Sequence, residues 1–107
     1  MKKTDNFEPE QAEKDRPEIT PEQKFERFFI ELVTSMYQEN GLSHSDFGRA
    51  VFGEKSGVRI WGGVRSAKRE RDITLAEVLK MAKALNVELP TLIFKAYERA
   101  KEKDILS

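Results

Sequence analysis

The chain has 107 residues, 38% hydrophobic and 36% charged, with basic and acidic side chains in equal number and no net charge. That length suits one compact domain with short tails. The absence of cysteine and the presence of one histidine, His44, exclude disulfides, thiolate or multi-histidine metal sites and thiol catalysis.

Residues 1–19 are polar, contain Pro9 and Pro17 and lack periodicity, so a disordered tail is expected there, with a domain over residues 20–107. Order is predicted to begin at Thr20, a good N-cap, with Pro21 at the first helical position and Gln23 completing a capping box. Phe25, Phe28, Phe29, Leu32, Val33, Met36 and Tyr37 then recur at helical spacing and form one apolar face, stopped by Asn40-Gly41. A second helix is expected from Ser43, with Asp46 as its capping-box partner, Phe47 and Val51 turned inward, small residues Gly48 and Ala50 between them, and Gly53 as its end. A third stretch runs from Gly57 to about Arg65, with Val58 and Trp61 as the expected buried pair and Gly62-Gly63 weakening its end. Arg65 to Asp72 reads as a polar connection. The fourth helix has the Thr74/Glu77 capping box, an expected inward stripe of Leu75, Val78, Leu79, Ala82 and Leu85, and Asn86 as a left-handed stop. Leu89, Leu92, Ile93, Ala96 and Ala100 define one face of a fifth helix after Val87-Glu88. Five helices without strand-type alternation make the chain all-α.

No apolar run approaches the roughly 18–20 residues of a membrane span. Lys2 and Lys3 are not followed by the apolar stretch of a secretory signal, and a cytoplasmic protein is the expectation. The neutral total hides segregated charge. From Arg49 to Arg71 seven cations (Arg49, Lys55, Arg59, Arg65, Lys68, Arg69 and Arg71) face only Glu54 and Glu70, whereas residues 1–19 carry six acids against four bases. Local potential rather than total charge governs attraction to phosphate, although such a run can also be an ordinary solvated face.

Two short helices about four residues apart, the first with Gly48 where a bulky side chain would hold them apart, suggest a helix-turn-helix. Downstream, the segment DITLAEVLKMAKALNVELPTL, Asp72 to Leu92, resembles the fourth-helix signature of the Cro/CI phage-repressor-like (XRE-type) family. Leu42-Ser43-His44-Ser45-Asp46-Phe47-Gly48 is similar to that family's L-S-Q-x-x-L/F-A opening of helix two, and Lys55-Ser56-Gly57-Val58 falls where its recognition helix begins. The resemblance spans residues 25–97. It departs from the family at Phe52-Gly53, where the glycine comes one residue late, as a lengthened helix two would require, and at the Gly62-Gly63 pair.

The resemblance implies a five-helix, lambda-repressor-like domain that reads double-stranded DNA as a transcriptional regulator, without cofactor, metal or catalytic residues. With Val58 and Trp61 inward, Lys55, Ser56, Arg59 and Ile60 would face the major groove. Arg59 is the main candidate for base readout, because a guanidinium can grip guanine O6 and N7 together, worth about 1–3 kcal/mol of discrimination. The alternative for Arg59 is a surface ion pair with Glu54 or Glu70. Phosphate contacts are implied for Ser43, His44 and Ser45 in the first turn of helix two, and for Arg65, Lys68 and Arg69 after helix three; Lys55 and Ser56 suit either base or phosphate.

Relatives of this fold bind as two-fold dimers on half-sites about one helical turn apart. A second apolar line on helix five, Phe94 and Tyr97, continued by Ile105 and Leu106, is the expected homodimer contact, unless Tyr97 packs within the monomer. Antitoxins share the fold, so a protein-interaction module is the rival reading, with the acidic tail folding on a partner. An enzyme is not expected: there is no Ser/His/Asp or Cys/His set and no glycine loop after a strand.

Overall fold

A computed structural model describes residues 19–66 and 71–105 of the chain. Among them are five helices and no strand: α1 (Pro21–Glu39), α2 (His44–Phe52), α3 (Gly57–Arg65), α4 (Leu75–Ala84) and α5 (Leu89–Glu102). The expected tail lies outside the described residues except for Ile19.

Local chemistry sets the helix starts. Thr20, Ser43 and Thr74 each accept the backbone N–H three residues on, from Gln23, Asp46 and Glu77, whose side chains return a bond to the cap's own N–H. Each box satisfies two of the donors that a helix N-terminus leaves open. Gly41 at φ +85°, Gly53 at φ +104° and Asn86 at φ +60° turn the chain out of α1, α2 and α4. α2 includes Phe52 before that turn, which accounts for the late glycine noted in the sequence.

α2 lies at the centre, packed on α3, α4 and α1, while α5 closes the fold against α1 and α4. The core comprises Phe29, Ile30, Leu32, Val33 and Tyr37 from α1, Phe47 and Val51 from α2, Trp61 and Val64 from α3, and Val78, Met81, Ala82, Leu85, Leu92 and Ala96 from the last two helices. Two residues of α1 tie down the segment joining α3 to α4. The Arg27 guanidinium donates to the carbonyls of Val64 (2.8 Å) and Arg65 (3.0 Å), and Glu26 accepts from the Ile73 N–H (3.0 Å).

Four expected burials are corrected. Val58 is 43% exposed, because α3 meets α2 through Gly57, which puts Trp61 and Val64, four and seven residues on, against the core and turns Val58 away. In α4 the inward stripe is Val78, Met81, Ala82 and Leu85; Leu79 sits on its flank, and Leu75, in the first turn, is 75% exposed. Ile93 lies at the edge of the α5 face whose buried residues are Leu92, Ala96 and Ala100, and is exposed. Ile30 and Met81, omitted from the expected stripes, are buried.

Candidate nucleic-acid interface

Glycine meets glycine where α2 crosses α3. A Cβ placed on Gly48 would lie 2.7 Å from the Gly57 carbonyl oxygen and 3.1 Å from Trp61 Cβ, and one on Gly57 would run into the Gly48 carbonyl. The backbones therefore approach as closely as side-chain-free residues permit, and the turn between them, closed by Gly57 N–H to Gly53 O at 2.9 Å, is short. Trp61 then packs on Phe47 (5.3 Å between ring centroids) and Phe52 (5.9 Å), fixing the rotation of α3 on α2.

This contact sets which side of α3 is free. Lys55, Val58 and Arg59 are exposed, Ser56 is half-buried, and Ile60, expected to face outward, is half-buried and packed against the core. Arg59 makes no ion pair with Glu54 or with any other described residue; Glu70 is outside the described residues. Two other cations of the basic stretch are engaged: Arg71 with Glu77 at 2.8 Å and Arg49 with Asp46 at 3.6 Å. Lys68 and Arg69 lie outside the described residues.

The first turn of α2 meets the end of α3, where His44 and Arg65 line one cleft. Ser43 Oγ accepts from the Asp46 N–H at 3.0 Å, and Ser45 is half-buried. The Asp46 carboxyl is held below its ordinary pKa by the Ser43 backbone N–H first, then by the Ser43 hydroxyl and Arg49, so a negative charge already occupies this helix start. His44 is the first residue of α2. It is half-buried, its Nδ1 lying 2.5 Å from the hydroxyl of Tyr37, which itself is wholly buried and accepts the Trp61 indole N–H at 2.9 Å. Arg65 folds back with its guanidinium 5.8 Å from the Trp61 ring centre, and its Nε is buried without a partner among the described residues.

The structure thus brings His44 and Arg65 to one cleft, leaves Lys55 and Arg59 open on α3, and places Ser43 and Ser45 at the helix start between capping and solvent. Sequence reasoning missed Tyr37 as a polar contact and Arg27 as a clamp. The available signal was chemical: a tyrosine and a tryptophan on inward faces must each satisfy a polar atom. Among the described residues no group of three or more His, Asp or Glu side chains could hold a metal ion, and no helix is long and apolar enough to cross a membrane. On α5, Phe94 is 65% and Tyr97 48% exposed, so Tyr97 does not pack into the core, and Ile105 is half-buried; Leu106 is outside the described residues. No protein-family model matches the chain, and neither a curated protein nor a solved structure matches it.

Proposed function

We propose that the chain is a cytoplasmic, non-catalytic regulator of transcription that binds duplex DNA through a helix-turn-helix formed by α2 and α3. The observation that supports it best is the side-chain-free contact between Gly48 and Gly57, which locks α3 to α2 while Lys55, Val58 and Arg59 stay free on the opposite side. A recognition helix needs that combination of a rigid mount and an open face with donors. In this reading Arg59 takes a guanine edge and Val58, turned outward, offers an apolar surface to a thymine methyl group. Ser43, His44, Ser45 and Arg65, with Lys68 and Arg69, carry phosphate contacts, and Lys55 and Ser56 serve either role. Two copies meet through α5 by Phe94, Tyr97, Ile105 and Leu106, so that two recognition helices address half-sites about one turn apart.

The test is anisotropy on a labelled duplex spanning the DNA upstream of the chain's own gene, at about 50 and 200 mM salt, an interval over which several phosphate contacts lose at least about tenfold in affinity. Arg59→Ala is expected to lose about 1–3 kcal/mol of preference for the preferred site. Absence of binding at both salt concentrations refutes the reading. A second reading, a protein-interaction module of the antitoxin kind, draws on the exposure of Leu75, Phe94 and Tyr97 in one short domain. Co-purification of a second chain in stoichiometric amount distinguishes it.

A further inference from the structure

A cleft of about 300 Å³ opens between α1, the first turn of α2 and the end of α3, lined by Arg27, Ile30, Glu31, Thr34, His44 and Arg65. Its chemistry is set from inside the core. The Trp61 indole can only donate, and it gives its proton to Tyr37 Oη at 2.9 Å. Tyr37 is wholly buried, so among the described residues its own hydroxyl proton has one acceptor within reach, His44 Nδ1 at 2.5 Å. In the opposite arrangement His44 Nδ1 would donate and the Tyr37 proton would be stranded in the core, which costs about 1–3 kcal/mol. The relay Trp61 to Tyr37 to His44 therefore puts the neutral imidazole proton on Nε2, the nitrogen turned away from Tyr37.

The surroundings of that N–H favour an anion. Arg27 spends its guanidinium on the carbonyls of Val64 and Arg65, cancelling the partial negative charge that the end of α3 would otherwise present. Arg65 is steadied over the Trp61 ring at 5.8 Å, with Nε buried and unpartnered among the described residues, so its donors are not consumed by the fold. Glu31 is the opposing charge, and it is exposed at the cleft margin. We propose that this cleft seats one phosphate-type oxyanion, with Arg65 supplying charge, His44 Nε2–H donating, and Tyr37 acting as the positioning residue that fixes the histidine tautomer. The anion is either a backbone phosphate of bound duplex, in which case the seat rests on the DNA-binding reading, or a free phosphate group, in which case it does not.

His44 is the single histidine, so its ring signals in long-range proton–nitrogen NMR of the full-length chain are unambiguous. The free protein is expected to show the proton on Nε2. Inorganic phosphate is expected to shift the His44 Nε2–H and Arg65 Nε–H signals saturably, whereas chloride at matched ionic strength does not. A duplex that produces the same shift and displaces phosphate identifies the seat as a backbone-phosphate site; phosphate binding that persists beside bound duplex identifies a free phosphate group. Tyr37→Phe is expected to mix the two tautomers and weaken phosphate about tenfold, close to the most that one neutral hydrogen bond is worth. If that variant does not fold, Arg65→Gln tests the seat from the surface side, with loss of the phosphate-induced His44 shift expected. Ring signals unmoved by both phosphate and duplex overturn the proposal. If the duplex nevertheless binds by anisotropy, DNA binding stands while the seat falls; if phosphate binds and no duplex does, the seat stands alone. A Tyr37→Phe protein that keeps the Nε2 tautomer and full phosphate affinity overturns the positioning role.

Discussion

Replacing Gly48 by alanine adds one methyl group where α2 crosses α3. By intrinsic propensity the change should help, since alanine in a helix interior is favoured over glycine by about 1 kcal/mol. The packing argues the opposite. The new Cβ would sit 2.7 Å from the Gly57 carbonyl oxygen, where ordinary contact begins at 3.4 Å, and 3.1 Å from Trp61 Cβ. The oxygen belongs to the backbone at the first residue of α3, so relief requires the whole helix to move and the Phe47 and Trp61 rings to separate. Overpacking of this kind costs about 1–3 kcal/mol, and a rigid neighbour puts it at the upper end. Set against the propensity gain, a net loss of about 2 kcal/mol is expected, or a melting temperature lower by about 8–16 °C. Gly62→Ala is the matched control: the same substitution, inside α3, with nothing within 4 Å of the added Cβ, and an expected gain of about 0.5–1 kcal/mol. Urea unfolding followed by the fluorescence of the single tryptophan, Trp61, measures both. A Gly48→Ala protein as stable as Gly62→Ala would refute the close-contact argument and, with it, the rigid mounting of α3.

Thr74→Ala removes the hydroxyl that accepts the Glu77 N–H at 3.1 Å and should cost about 1 kcal/mol, read as a lower urea midpoint with unchanged slope. Glu77 also sets a pH dependence. Burial raises its carboxyl pKa, but hydrogen bonds from Arg71 (2.8 Å) and the Thr74 backbone N–H (2.9 Å) outweigh burial and leave it below the ordinary glutamate value. A depressed folded-state pKa contributes stability that is present above the unfolded value and lost as pH falls through the folded one. Wild type and Glu77→Gln should therefore differ in stability at neutral pH and converge in acid; a gap that widens on acidification contradicts the assignment. Arg27→Met keeps the aliphatic stem but removes two bonds to the Val64 and Arg65 carbonyls, each worth up to about 1.5–3 kcal/mol as a charge-assisted contact before solvent screening. Hydrogen exchange should report the loss first in the last turn of α3.

Helix starts and stops were legible because they are local. Thr20, Ser43 and Thr74 carry their box partners three residues away, and Gly41, Gly53 and Asn86 mark backbone that turns left-handed, so no tertiary knowledge was needed. Facing was less legible. Counting apolar residues in α3 paired Val58 with Trp61, because valine is the bulkier marker, whereas the true contact is Gly57, a residue that packs by having no side chain. In α4, Leu75 and Leu79 have the hydrophobicity of core residues, but Met81 fixes the stripe from the opposite flank, and only the packed neighbours decide between them.

The candidate site divides along the same line. Lys55 and Arg59 could be named from sequence because a solvent-facing cation depends on little beyond its own helix phase. His44 could not be characterised in the same way, since what it can do depends on packing between helices: its ring meets Tyr37 of α1, which in turn takes the Trp61 indole proton from α3. A tyrosine at the end of an apolar stripe reads as one more core ring, and its stacking on Phe47 at 4.3 Å fits that reading. Its hydroxyl adds a second function to the same side chain: it links the α3 anchor to the first residue of α2, so a packing change at Trp61 is expected to change whether the outward Nε2 of His44 carries the proton.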